Sequence, residues 1–175
     1  MRDDYYGMAV FGLIAVLFLF LFPVIYSGYQ MQDTAKVQAN EYTEEFVDNV
    51  RASAYFTDRD YENYITKMGL LGSNFDIEMY HYSEVYSPET DESNNPTGRI
   101  LRYETVHDRN DIADTLYSNL TEDISRYELK KGDRFEIVVT QRSQNAGARL
   151  SDLFTRGGFI PYSFRIGEQI DNYTD

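Results

Sequence analysis

MAVFGLIAVLFLFLFPVI, residues 8–25, decides the architecture of this chain of 175 residues. The run carries no charge, and the charge-free interval extends from Tyr5 to Gln32. Eighteen helical residues at about 1.5 Å each nearly match a hydrocarbon core of roughly 30 Å. The sequence therefore predicts a helix that spans the cell membrane over residues 8–27. The residues expected to anchor it in lipid are Met8, Phe11, Leu13, Leu17, Phe20, Phe22, Pro23 and Ile25.

The flanks of this run favour a retained anchor. Tyrosine prefers the membrane interface because its ring is apolar and its hydroxyl stays wet. Tyrosines border both ends of the run: Tyr5, Tyr6, Tyr26 and Tyr29. A cleaved signal peptide is the alternative, because Pro23 followed by Ser27 and Gly28 resembles a cleavage region. The preceding MRDDYY carries two aspartates and one arginine, which is untypical of a signal peptide.

The helix is expected to continue outward from the membrane as a stem over residues 28–56, with bends near Pro23 and Gly28. Residues 1–7 are expected to form a short cytoplasmic tail, with the large part of the chain outside the cell. Apolar residues recur at helical spacing along the stem, as Ala35, Ala39, Tyr42, Phe46 and Val50. Such a stripe packs either on its own domain or on a neighbouring subunit. Tyr42, Phe46 and Val50 are therefore candidate interface residues.

Residues 57–175 are predicted to form a small extracytoplasmic α+β domain. A helix capped by Thr57 is expected to end near Gly69 or Gly72, and a third helix to carry Ile112, Leu116, Leu120 and Ile124. A short helix is expected over 150–154. Two-residue periodicity predicts strands at 75–79, 99–106, 135–139 and 159–166, with an exposed loop at 87–98. Helices set before and between four strands indicate a mainly antiparallel sheet with two to three helices.

Composition excludes several classes of protein. The net charge of −13, from 16 basic and 29 acidic residues, repels phosphate backbones and disfavours binding to nucleic acid. The chain has no cysteine, which excludes disulfides, thiolate nucleophiles and cysteine-ligated metals.

No motif in the chain predicts catalysis, a cofactor or a metal site. His81 and His107 stand far apart in sequence without a partner at metal-ligand spacing, so each is expected at the surface or at an edge. There is no G-x-S-x-G elbow and no glycine-rich phosphate loop after a strand. We therefore expect a protein that is not an enzyme.

The chain has 16 tyrosines and no tryptophan. YHYSEVY, residues 80–86, predicts Tyr80, Tyr82 and Tyr86 on one strand face. Tyrosines give contact area at low entropic cost, which suits a protein interface. The alternative is that these rings line the edge of a small core with their hydroxyls in water. The three tyrosines are the remaining candidate interface residues.

Nearly the whole chain resembles a poorly characterised family of membrane-anchored proteins from Firmicutes associated with Flp (Tad-type) pilus gene sets. The resemblance rests on the MRD start, on EFVDNVRASAYFTDRDYENYITKMG (45–69), FDIEMYHY (75–82) and YELKKGDRFEIVVTQRS (127–143), and on the terminal GEQIDN. It implies a part in an envelope-spanning pilus or secretion apparatus. The plan is also similar to pilins and pseudopilins. The chain differs from pilins at the expected processing site. A prepilin peptidase site would need Glu at the fifth position after Gly7, but that position is Gly12.

The expected function is that of a non-catalytic component of a Tad/Flp-like pilus or a related assembly, acting through protein–protein contacts. Its partners would be the bilayer, other proteins of the apparatus or a second copy of the chain, and no nucleic acid or cofactor is expected. One alternative is a surface-tethered ligand-binding ectodomain, which would need a deep pocket near the loop at 87–98. The other is an accessory factor of a conjugation or secretion system.

Overall fold

The computed structural model describes residues 2–91, 96–118, 125–143, 149 and 160–171, and the side chains from Tyr6 onward. The chain begins with a helix of 52 residues, α1 (Arg2–Ser53). The other elements are β1 (Tyr55–Thr57), α2 (Asp58–Gly69), β2 (Asn74–Thr90), β3 (Pro96–His107), α3 (Arg109–Tyr117), β4 (Arg126–Glu128), β5 (Arg134–Ser143) and β6 (Ser163–Gln169). The architecture is α+β, as the sequence predicts.

Helix α1 changes character along its length. By length and composition its first half could cross a membrane, and the most apolar window, with a mean hydropathy of 2.9, has no part buried inside the protein. The second half places Ala39, Phe46, Val47 and Val50 in the core of the domain. The helix continues through Pro23 without interruption, although proline removes one backbone donor. The predicted continuation of the apolar helix into a stem is therefore observed.

The stem ends earlier than predicted. Helix α1 stops at Ser53, and Ala54 has a φ of 60°, in the left-handed region that interrupts a right-handed helix. The Ala54 N–H still donates to the Val50 carbonyl at 2.8 Å, and its own carbonyl accepts from Leu129 N–H at 2.8 Å. Phe56, placed in the stem by the sequence prediction, instead lies in β1 and is buried.

Helix α2 begins and ends where its sequence signals predict. The Thr57 hydroxyl accepts the Asp60 N–H, and the Asp60 carboxylate accepts the Thr57 N–H, which forms a capping box. The helix ends at Gly69 and buries Tyr61, Tyr64 and Met68 against the core.

The sheet order is β3-β2-β5-β6, with every pair antiparallel, and β1 and β4 form a separate two-stranded sheet. The predicted loop at 87–98 is shorter than expected, because β2 continues to Thr90 and β3 starts at Pro96. Turn-forming residues marked the reversal of the chain, but cross-strand pairing extends the ladder well into that segment. The last strand starts at Ser163 rather than at 159.

The core lies between the sheet, the inner half of α1 and the two short helices. Phe46 stacks on Tyr64 with ring centroids 4.8 Å apart and meets Phe56 edge-on at 5.5 Å. Phe46 and Val50 are 6% and 1% exposed. These two candidates for an interface with another subunit are therefore core residues, because the stem packs on its own domain. Leu120, Ile124 and the predicted helix at 150–154 lie outside the described residues.

Candidate functional site

The two halves of β2 have different neighbours. Residues 74–82 pair with β5, whereas residues 81–90 pair with β3. The ladder beyond the His81–His107 pair, residues 82–90 and 96–106, is called the hairpin arm here. Within it only Tyr82 also pairs with β5, through Arg134. In the described part of the chain no further strand pairs with the arm, so it is a two-stranded ribbon extending from a packed body.

The hairpin arm exposes apolar side chains on both faces. Every described side chain from 96 to 106 is exposed. The large apolar side chains of the arm with their exposed fractions are Val85 45%, Tyr86 62%, Ile100 72%, Leu101 37%, Tyr103 52% and Val106 48%. An isolated two-stranded hairpin is at best marginally stable in water. The arm is therefore the candidate interaction surface of the described residues.

Pairing register assigns each side chain of the arm to a face. On one face Tyr82, Glu84 and Tyr86 stand opposite Val106, Glu104 and Arg102. On the other face, Val85 stands opposite Tyr103 and Ser87 opposite Leu101.

The charged side chains of the first face are linked in pairs. Arg102 forms an ion pair with Glu84, and Tyr86 donates its hydroxyl hydrogen to the same carboxylate at 2.7 Å. Arg134, at the start of β5, lies 3.9 Å from Glu104 and 4.1 Å from the centroid of the Tyr82 ring. These contacts are exposed, so each contributes little to stability.

The structure brings three of the predicted interface tyrosines onto one face of β2. Tyr80 and Tyr82 are half-buried with ring centroids 6.4 Å apart, and Tyr86 is exposed further along the arm. The Tyr80 hydroxyl donates to Glu78 at 2.9 Å, and hydrogen bonding to that carboxylate raises the pKa of Tyr80. Tyr42 lies apart from them on α1, where the ammonium of Lys67 is 5.3 Å from its ring centroid.

Sequence reasoning missed the apolar side chains of β3 as interface candidates. Ile100, Leu101, Tyr103 and Val106 belong to the segment that was predicted as a strand. Alternation of apolar and polar residues gives the strand but does not report that neither face is covered. The sequence does not show that β5 begins at Arg134, which pairs with Tyr82, so that β2 extends beyond the end of its β5 partner.

His81 lies where the arm joins the body. The sequence predicted it at the surface or at an edge, but it is buried. It is 6% exposed and lies 2.7 Å from the Tyr127 hydroxyl through Nδ1 and 2.8 Å from Asp133 Oδ2 through Nε2. Asp133 also accepts the Lys130 N–H at 2.8 Å. The imidazole of His107 stacks on that of His81 with centroids 5.4 Å apart.

A neutral imidazole satisfies every member of this network. We assign the proton to Nε2, which donates to Asp133, so that Nδ1 accepts the Tyr127 hydroxyl hydrogen. Burial lowers the pKa of His81, although the hydrogen bond and charge of Asp133 oppose that shift. Burial, and then the charge of Asp133, raise the pKa of Tyr127 to about 12. His81 thus joins β2 to the β4–β5 connection.

A cleft of about 420 Å³ lies between α1 and α2, away from the segment 87–98 near which the ligand-binding alternative would need a deep pocket. Its charged groups are already engaged, because Lys67 Nζ lies 2.9 Å from Glu45 and the Asp60 carboxylate accepts the Thr57 N–H at 3.0 Å. Among the residues that the structure describes, no group of three or more histidine or acidic side chains is placed to hold a metal ion.

These features define a class: an α+β domain built on the end of a helix that is long and apolar enough to cross a membrane, with a bare hairpin arm. Comparisons with protein-family models, with curated proteins and with solved structures found no match.

Proposed function

We propose that the protein is a single-pass membrane-anchored, non-catalytic component of a Tad/Flp-like pilus or a related envelope-spanning assembly. In this role α1 holds the domain at the outer face of the cell membrane. The hairpin arm makes the protein–protein contacts. The single observation that carries the proposal is the arm itself, a ribbon with apolar side chains on both faces beside a well-packed body.

The stem supports this role because the helix that contains the candidate membrane span also packs into the body. Arg51, near the end of α1, forms an ion pair with Glu168 of β6 at 3.1 Å. Phe46 of the same helix packs against Phe56 and Phe135. A domain integral with its own anchor has a restricted orientation above the membrane, which lowers the entropic cost of joining an assembly. The assignment to a Tad/Flp-like apparatus rests on the sequence resemblance alone.

Site-specific photo-crosslinking in cells tests the proposal. A photo-reactive amino acid at Tyr86 or Ile100, both exposed on the arm, is expected to capture proteins encoded beside this gene. The matched control is the same probe at Leu70, which is 81% exposed on the body just after α2. Capture at the arm of pilus or secretion proteins, with none at Leu70, supports the proposal. Equal capture at both positions, or none at the arm, contradicts it.

The cleft between α1 and α2 is the observation that favours a ligand-binding ectodomain instead. That alternative requires a small molecule to enter beside the Lys67–Glu45 pair. A Lys67→Met variant that loses a thermal shift given by envelope metabolites, with the arm still inert in the crosslinking experiment, would favour it over the assembly role.

A further inference from the structure

We propose that the hairpin arm binds a second copy of this chain by antiparallel pairing of β3 with β3, centred on Tyr103. The inference deepens the proposed function, on which it rests, by naming one partner of the arm. It follows from which edge of the ribbon is open, from the order of charges along β3 and from the pairing that this order permits.

Neither edge of the ribbon beyond Tyr82 pairs with a further strand among the residues that the structure describes, and that of β3 is better suited to accept one. The β2 edge contains Pro88, which has no N–H to donate, and its charged residues Glu84 and Glu89 are both acidic. Residues 97–107 of β3 contain no proline and carry both signs of charge. An uncovered strand edge with unpaired backbone groups is a template for a further strand.

The charges of β3 select one register. A two-fold axis perpendicular to the sheet keeps each residue on its own face, so the position of the axis along β3 decides which residue stands opposite Arg102 and which opposite Glu104. Centring the axis on Arg102 or on Glu104 places like charges opposite each other, which is destabilising. Centring it on Tyr103 places Arg102 of each copy opposite Glu104 of the other.

The same register pairs the apolar side chains. Ile100 of each copy falls opposite Val106 of the other, on the face that carries Arg102 and Glu104 and beside the two ion pairs. On the opposite face Tyr103 meets its own copy, flanked by Leu101 opposite Thr105. Four exposed apolar residues of β3 thus each gain a cross-strand neighbour, and the two sheets of four strands join into one of eight.

Sheet twist reconciles this pairing with two anchors in one membrane. Consecutive strands rotate by about 20–25°, so three steps turn the local sheet normal by roughly 60–75° between β6 and β3. The two-fold axis follows the normal at β3, whereas α1 packs against β5 and β6 at the far side of the sheet. The symmetry therefore does not force the two α1 helices to point in opposite directions.

Cysteine crosslinking of the full chain in proteoliposomes tests the register. The wild-type chain has no cysteine, so each introduced thiol is unique. In Tyr103→Cys the two Cα atoms would be about 4.5–5.5 Å apart, within reach of a disulfide. In the control Leu101→Cys, on the same face, they would be about 14 Å apart and out of reach. We expect an oxidised dimer for the first variant and none for the second.

Two further experiments distinguish a specific strand register from random collision of exposed thiols. Mixing Leu101→Cys with Thr105→Cys is expected to give a crosslinked pair that neither forms alone. Adding Arg102→Glu to Tyr103→Cys should lower dimer yield on the order of tenfold, because two ion pairs become repulsive. Adding Glu104→Arg as well should restore the yield.

Each outcome decides the proposal. Equal crosslinking through Tyr103→Cys and Leu101→Cys, or no dimer through Tyr103→Cys, overturns it. If the dimer is missing while the arm captures other proteins in cells, self-pairing is wrong and the assembly role stands. If the dimer forms with the predicted pattern and no other protein is captured, self-pairing stands and the assembly role is wrong.

Discussion

One strand, β2, lies in two environments. From Phe75 to His81 it is paired with β5, and its inward side chains Ile77 and Met79 are buried under the helices. Beyond Tyr82 it pairs only with β3 in the described part of the chain, and its large apolar side chains Val85 and Tyr86 are exposed. Backbone hydrogen bonding is similar in both halves, whereas side-chain burial differs sharply. The comparison teaches that backbone pairing alone is enough to form a strand, whereas a packed body also needs helices that bury one face of the sheet; the exposed half is the part that we propose binds partners.

The largest expected contrast is between a body aromatic and an arm aromatic. Phe135 is fully buried, so Phe135→Ala should lower the free energy of unfolding by about 3–5 kcal/mol. Tyr103 is half exposed on the arm, and Tyr103→Ala should change it by less than about 0.5 kcal/mol. Denaturant unfolding of the full chain in detergent, followed by tyrosine fluorescence, measures both. Similar losses for the two variants would contradict the division into body and arm.

The next contrast is between the two histidines that pair across the root of the arm. His81→Ala leaves the Asp133 carboxylate and the Tyr127 hydroxyl without their shared partner, at a cost of about 2–3 kcal/mol. His107→Ala removes a ring contact and should cost less than about 1 kcal/mol. Thermal unfolding of the two variants under the same conditions compares them. Equal losses of stability in the two variants would mean that the hydrogen bonds of His81 do not stabilise the junction of the arm and the body.

The pH dependence of stability should originate at the same histidine. The pKa of His81 is lowered in the folded state from its ordinary value of 6.5, so below that pH the unfolded chain binds a proton that the folded chain refuses. Stability should therefore be full above about pH 6.5 and fall as the pH drops below it. His81→Gln should flatten this part of the profile relative to wild type. An unchanged slope in His81→Gln would exclude His81 as its source.

The smallest expected effect lies in the ion pair of the arm. Arg102→Ala removes an exposed contact with Glu84 and should change unfolding free energy by less than about 0.5 kcal/mol. The same substitution should nevertheless weaken the Tyr103→Cys crosslink, because Arg102 is proposed to face Glu104 of the second copy. A large stability loss would show that the arm depends on this pair within one chain.

The sequence predicts most of the individual helices and strands, but it does not predict how the strands pair or which side chains become buried. Local signals located the apolar helix, the Thr57 cap of α2 and the four strands of the larger sheet. The three-residue strands β1 and β4 are too short for a periodic pattern. Burial of His81 depends on Tyr127 and Asp133, which are distant in the chain. The arm was missed because β2 pairs with β5 over one half and with β3 over the other. This arrangement is a property of the whole sheet and cannot be read from any single segment.

Hydrogen exchange along β2 tests most directly the claim that one strand has a packed half and a bare half. The measurement uses full-length protein in detergent at a concentration where it is monomeric. Amides of residues 83–90 should exchange at least about a hundredfold faster than those of residues 76–81. Equal protection along the whole strand would contradict the account, because the arm would then be as firmly packed as the body.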